Sequence, residues 1–94
     1  MTVDQAVALV REELASAQAK HHDFNSGHEG YAVIREEIDE LWDAVKASKG
    51  YVCYDGPTAY EAVQVAAMAL RFLVDLCEHD GLKAYTEGRK AVRA

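Results

Sequence analysis

Tyr31-Ala32-Val33-Ile34-Arg35-Glu36-Glu37-Ile38-Asp39-Glu40-Leu41-Trp42-Asp43-Ala44-Val45 is the stretch that decides the fold. Tyr31, Ile34, Ile38, Leu41 and Val45 recur three or four residues apart, the spacing at which side chains share one face of an α-helix. At about 100° per residue, Glu37 and Glu40 fall to one side of that stripe, alongside Val33 and Ala44, whereas Glu36 and Asp39 point further out. A strip that mixes apolar side chains with two carboxylates does not belong on a purely solvated face. It predicts contact with a second helix or with a ligand.

A second polar pair follows downstream, Glu61-x-x-Gln64, also within helix-like sequence. Residues three apart lie on one side of a helix, so Glu37 with Glu40 and Glu61 with Gln64 can face each other across two packed helices. Hard divalent cations take oxygen ligands and reach substrate phosphates through them, so this arrangement suits magnesium and phosphate chemistry. Glutamates on exposed helices commonly do no more than solvate them. These differ in context: one pair abuts an apolar stripe and the other begins an otherwise apolar helix, and carboxylates buried between helices need a compensating cation.

Outward from this centre, the sequence predicts an all-α chain. A first helix spans about residues 3–20, with Val3, Val7, Val10 and Leu14 at helical spacing and Thr2 with Gln5 as a capping box. His21 to Gly27 reads as a break in which either Asn25 or Ser26 caps the next helix; Ser26 with Glu29 has the capping-box spacing. The second helix covers about residues 27–48 and stops before Gly50. Tyr51 to Gly56 forms a short connection, and Pro57 opens a third helix reaching about residue 79. Glu61 is expected near the positive end of that helix. Its apolar residues point in nearly every direction, while Glu61, Gln64, Arg71 and Asp75 share a narrow strip continued by Met68. Such a helix wants partners on both sides. The tail, residues 80–94, begins with a turn at Asp80-Gly81-Leu82, has room for a short helix at Leu82 to Tyr85, and ends in a basic stretch expected to fray. The expected architecture is one domain, an antiparallel helical bundle of three main helices with a short C-terminal helix, completed by oligomerisation.

The chain of 94 residues is long enough for one domain and too short for two. Sixteen acidic against ten basic residues leave a net charge of −6, which argues against nucleic-acid binding, because tracking a phosphate backbone needs concentrated Lys and Arg. Cys53 and Cys77 form no CxxC pair and fit a reducing compartment. Asp4 stands where a signal peptide needs basic residues, and no run of eighteen uncharged apolar residues occurs. The expected location is cytoplasmic, with no membrane partner.

With these residues in view, a resemblance emerges. Gly30-Tyr31-Ala32-Val33-Ile34-Arg35-Glu36-Glu37-Ile38-Asp39-Glu40-Leu41-Trp42, followed by Glu61-Ala62-Val63-Gln64-Val65-Ala66-Ala67-Met68-Ala69, resembles the small phage and bacterial members of the MazG-like, all-alpha nucleoside triphosphate pyrophosphohydrolase superfamily. The likeness covers about residues 28–77. It implies a helical, dimeric or tetrameric enzyme that uses magnesium to hydrolyse a nucleoside triphosphate to the monophosphate and pyrophosphate. By that resemblance Glu37 and Glu40 match metal ligands of the first motif, Glu61 matches the first ligand of the second, and Glu36 matches the leading acid, which orients water or assists a further metal. Gln64 departs from the pattern, which usually has Asp at that position. An amide oxygen can coordinate a hard cation but brings no charge, so metal affinity and rate should both fall. Asp75 is no substitute, since eleven residues of helix carry it about 16 Å further along the axis.

The chemistry implied is metal-assisted attack of water on a phosphorus atom, with Glu36 or Glu40 orienting or deprotonating the nucleophile. Lys46, Lys49 and Arg71 are the candidate cations for the phosphates, each with solvated surface as its alternative. Trp42 can stack on a base or pack against the stripe it borders. His28 can touch a phosphate or serve the helix start. The spacing of His21, His22 and His28 fits no zinc module, Cys77 reads as a buried small side chain, and Tyr51 and Tyr54 can cover a base or close the hairpin. The rival function is a non-catalytic helical assembly or nucleotide-binding protein whose metal site is impaired at Gln64.

Overall fold

The computed structural model describes residues 1–48 and 56–93. They form four helices and no strand: α1 (Val3–Lys20), α2 (Gly27–Ala47), α3 (Pro57–Leu76) and α4 (His79–Arg93). Local chemistry explains the starts. Thr2 Oγ1 accepts the Gln5 N–H at 3.1 Å while the Thr2 N–H donates to Gln5 Oε1 at 2.8 Å, a reciprocal capping box. At α2 the cap is Ser26, whose hydroxyl accepts the Glu29 N–H at 3.1 Å. The Glu29 carboxylate reaches one residue further back and accepts the Asn25 N–H at 3.0 Å. Pro57 opens α3 with Gly56 as an N-cap that offers no side-chain bond.

The helix α3 organises the rest: it packs against both α2 and α1, whereas α4 packs on none of them. Gly30 meets Phe72, and the Glu37–Glu40 segment meets Glu61, so α2 and α3 run past each other in opposite directions. The core is small. Ala17 of α1, Phe24 of the α1–α2 connection and Ala67 and Met68 of α3 are buried, with Val10, Val33, Ile34, Phe72 and Leu76 packed around them. Burying Phe24 and Met68 contributes about 2 kcal/mol each.

The structure revises several expectations. Half-buried on α2 are Ile34, Leu41 and Val45 of the apolar stripe together with Val33, Glu37 and Ala44, while Tyr31 and Ile38 of the stripe are 61% and 44% exposed. The tail is a continuous helix of 15 residues rather than a turn and a short helix, because Gly81 and Gly88 do not interrupt it. The third helix ends at Leu76, and Cys77, its C-cap, is exposed rather than buried. Lys49, Tyr51, Cys53 and Tyr54 lie outside the described residues.

Gly30 weakens a helix start on propensity alone, and packing explains it. A Cβ there would sit 2.5 Å and 2.9 Å from two Phe72 ring carbons and 3.3 Å from a Phe24 ring carbon. Gly30→Ala should gain about 1 kcal/mol of helix propensity but lose more by wedging two rings apart, for a net destabilisation of about 1 kcal/mol. Gly88→Ala, with nothing within 4 Å of the new methyl, should raise helix content without that loss. Urea unfolding and circular dichroism of the two variants check this; a stabilised Gly30→Ala would mean that Phe72 swings clear at little cost.

Candidate metal centre and the adjoining pocket

The spacing of Glu37 and Glu40 on α2 places both carboxylates at the contact with α3, where Glu61 meets them. One oxygen from each of the three lies within 4.8 Å of the others. Glu37 and Glu61 are half-buried and Glu40 is exposed. Glu37 Oε2 and Glu61 Oε2 are buried without a hydrogen-bond partner, as is the Gln64 amide nitrogen. Gln64 follows Glu61 on the same side of α3, with only 8% of its surface exposed.

Crowding of like charges with partial burial sets the proton affinities. The Glu37 carboxyl is pushed up to about 7, first by burial, then by the charge of Glu40 and a hydrogen bond shared with it, then by Glu61 and Glu36. Glu61 is raised too, by burial and by Glu40. The helix dipole offers Glu61 little relief, because the first turn of α3 carries no acidic residue and Glu61 lies beyond it, where the field has largely decayed. A divalent cation would relieve all of this at once. The donors are hard oxygens, which suit magnesium, manganese or calcium rather than zinc. Octahedral magnesium holds oxygens about 2.1 Å away, hence no more than about 4.2 Å apart. The observed cluster would need only a small inward rotation of its side chains to grip the ion.

A cavity of about 370 Å³ adjoins this centre, and Glu37 belongs to both. Its walls include His21, His22 and Phe24 from the connection before α2, Val33 of α2, and Met68 and Arg71 of α3. The sequence pointed to Arg71 but not to Phe24, Val33 or the paired histidines as lining. Phe24 carried a signal that could have been used, being the one large apolar residue in an otherwise polar break. Arg71 is 6% exposed and ion-paired with Asp75 at 3.4 Å. Among the other sequence candidates, Glu36 is exposed and adds its charge to the environment of Glu37. Trp42 is 57% exposed, with Lys46 Nζ 5.6 Å from its ring centroid. Lys46 also makes an exposed pair with Asp43 at 3.3 Å. His28 is exposed in the first turn of α2, and no described helix is long and apolar enough to cross a membrane.

The raised affinity of Glu37 fixes the sign of a pH effect. Between its ordinary value of 4.5 and about 7, the folded chain holds this proton and the unfolded chain releases it. Stability therefore falls as pH rises through that window. With metal chelated, the melting temperature of the parent should drop relative to Glu37→Gln between about pH 5 and 7.5, and magnesium at the upper pH should restore the parent more than the variant. Parallel pH curves for the two proteins, or no response of the parent to magnesium, would count against the centre.

No family model matches the chain, and neither a curated protein nor a solved structure does.

Proposed function

We propose that this protein is a magnesium-dependent hydrolase of the MazG-like, all-alpha type that converts a nucleoside triphosphate to the monophosphate and pyrophosphate. The observation that carries the reading is the convergence of Glu37, Glu40 and Glu61, with a buried, unpartnered oxygen on both Glu37 and Glu61. Three carboxylates pressed together from two helices cost stability unless a cation joins them. The resemblance of the two motifs supplies the reaction class.

Magnesium bound there would neutralise phosphate oxygens as a Lewis acid. The chain's own groups do the rest. Glu37, Glu40 and Glu61 would hold the ion, with Gln64 beside Glu61 as a neutral oxygen donor. Glu40 and Glu36 are exposed, so each can reach a water molecule and orient it or take its proton. The Lys46–Asp43 pair is exposed at both ends and worth little, so the ammonium can turn to a phosphate, while the open Trp42 ring can stack on a base. Lys49 and His28 are further phosphate contacts in this reading. Exposed Tyr31 and Ile38 on α2 and Leu73 and Val74 on α3 suit burial in a homodimer or homotetramer, and the reading places the enzyme in the cytoplasm.

The competing reading, a non-catalytic assembly or nucleotide-binding protein, is favoured by one observation, the neutral Gln64 where a fourth carboxylate would complete the site. Pyrophosphate release from a panel of ribo- and deoxyribonucleoside triphosphates separates the two. The parent should turn over only with magnesium, and Glu37→Gln should lose roughly 100-fold or more, since a metal ligand supports several kcal/mol of charge stabilisation. Gln64→Asp should raise both metal affinity and rate. Activity in Gln64→Asp alone would establish a disabled site on an intact scaffold, and silence in every variant would favour the assembly reading.

A further inference from the structure

We propose that Arg71 is a positioning residue: with Asp75 it latches the segment His21–Phe24 onto α3 as one wall of the pocket beside Glu37, and so fixes how a substrate seats without touching its phosphates. This rests on the hydrolase reading for the identity of the substrate. A guanidinium carries five N–H donors in a fixed plane, and those of Arg71 are committed in several directions. Nε faces Asp75 Oδ2 at 3.4 Å, Nη2 donates to the His22 carbonyl, and Nη1 approaches Met68 Sδ at 3.9 Å. One face of the plane is covered by the Phe24 ring, 3.9 Å from Cζ to centroid. Asp75 completes the arrangement: the same Oδ2 accepts the Phe24 N–H at 3.0 Å. The two charged side chains are 7% and 2% exposed.

These are the polar contacts that tie the segment to α3, beside the burial of the Phe24 ring against Ala67 and Met68. Other polar contacts of the segment stay local, His22 Nδ1 with the Asp23 carbonyl and the Asn25 N–H with Glu29. The residues so held, His22 and Phe24, are pocket walls, and their neighbour His21, whose N–H donates to the Ala17 carbonyl, lines the cavity with them. For Arg71 to meet a triphosphate it would have to leave Asp75 buried and unpaired, surrender the His22 carbonyl and uncover Phe24, which is costly at such burial. The latch therefore acts on the pocket through the wall, and its loss should weaken seating of substrate rather than slow the reaction of substrate once seated.

The test uses the full chain with Arg71→Lys, which keeps the charge but cannot both stack on Phe24 and fork to two acceptors, with Phe24→Leu, and with the double variant, each first shown to be folded by circular dichroism. For the triphosphate the parent hydrolyses best, each single change should raise KM about tenfold, as misplacement of a positioning contact does, with kcat within about threefold of the parent. The double variant should be no worse than the worse single one, because both changes break one latch. A fall in kcat at unchanged KM for Arg71→Lys, with Phe24→Leu near the parent, would overturn the proposal and put Arg71 on the reacting phosphates. If the parent hydrolyses nothing, the hydrolase reading fails separately, and amide hydrogen exchange still reads the latch. The Phe24 N–H should then exchange at least about tenfold faster in Arg71→Lys while amides in the middle of α3 keep their protection; equal Phe24 protection in both proteins overturns it.

Discussion

The structure turns on a helix that buries its polar strip. Glu61, Gln64, Arg71 and Asp75 lie along one side of α3 with Met68 among them, and this side is turned inward together with Ala67, Phe72 and Leu76. Desolvating such groups is unfavourable unless each finds a partner. The two ends of the strip solve the problem differently. At one end Arg71 and Asp75 compensate each other, and the surplus donors and acceptor are used on backbone groups of the segment before α2. At the other end Glu61 meets Glu37 and Glu40, no charge among the described residues balances them, and two carboxylate oxygens stay unpartnered. The first end is compensated within the chain, and the second is left with a need that an outside cation would meet.

The same inversion explains the surface. With the polar strip turned in, apolar side chains of α3 such as Leu73 and Val74 are left outside. Together with Tyr31 and Ile38 on α2 they give this small chain more exposed apolar surface than its modest core would lead one to expect. The pocket lies where the two solutions meet. Glu37 belongs to the acidic cluster and to the cavity wall, and Arg71 belongs to the latch and to the same cavity's wall.

How much of this could be read from the sequence depended on range. Thr2 with Gln5, Ser26 with Glu29 and Pro57 are local devices, and the helices begin where those devices sit. The acidic triad was legible because helical spacing alone aligns Glu37 with Glu40, and only one pairing of helices was needed to bring Glu61 across. The direction in which α3 turns was not legible: apolar residues all round its circumference give no preferred face, and the decision rests with partners outside the helix. Arg71 shows the same limit, since its acceptor on His22 lies 49 residues away from it in sequence and its covering ring on Phe24 belongs to the same distant segment. The helix α4 escaped for the opposite reason. Gly81 and Gly88 read as punctuation, yet each costs only about 1 kcal/mol in a helix, too little to break one whose other residues favour it.

Gln64 joins these arguments. It lies on the inward strip, so an acid there would have added a fourth carboxylate to three that already repel one another, one of them holding its proton up to neutral pH. Such a site would be harder to fold without its cation and would hold it more strongly. The amide trades part of that grip for a metal-free chain that is less strained. Its unpartnered nitrogen is informative as well, because amide nitrogen and oxygen are interchangeable by a half-turn of the side chain. Turned one way, the group leaves a donor unsatisfied in a buried place; turned the other, it presents its oxygen in the place that donor occupied. A cation within reach of that place would favour the second orientation and settle the orphaned polar atom.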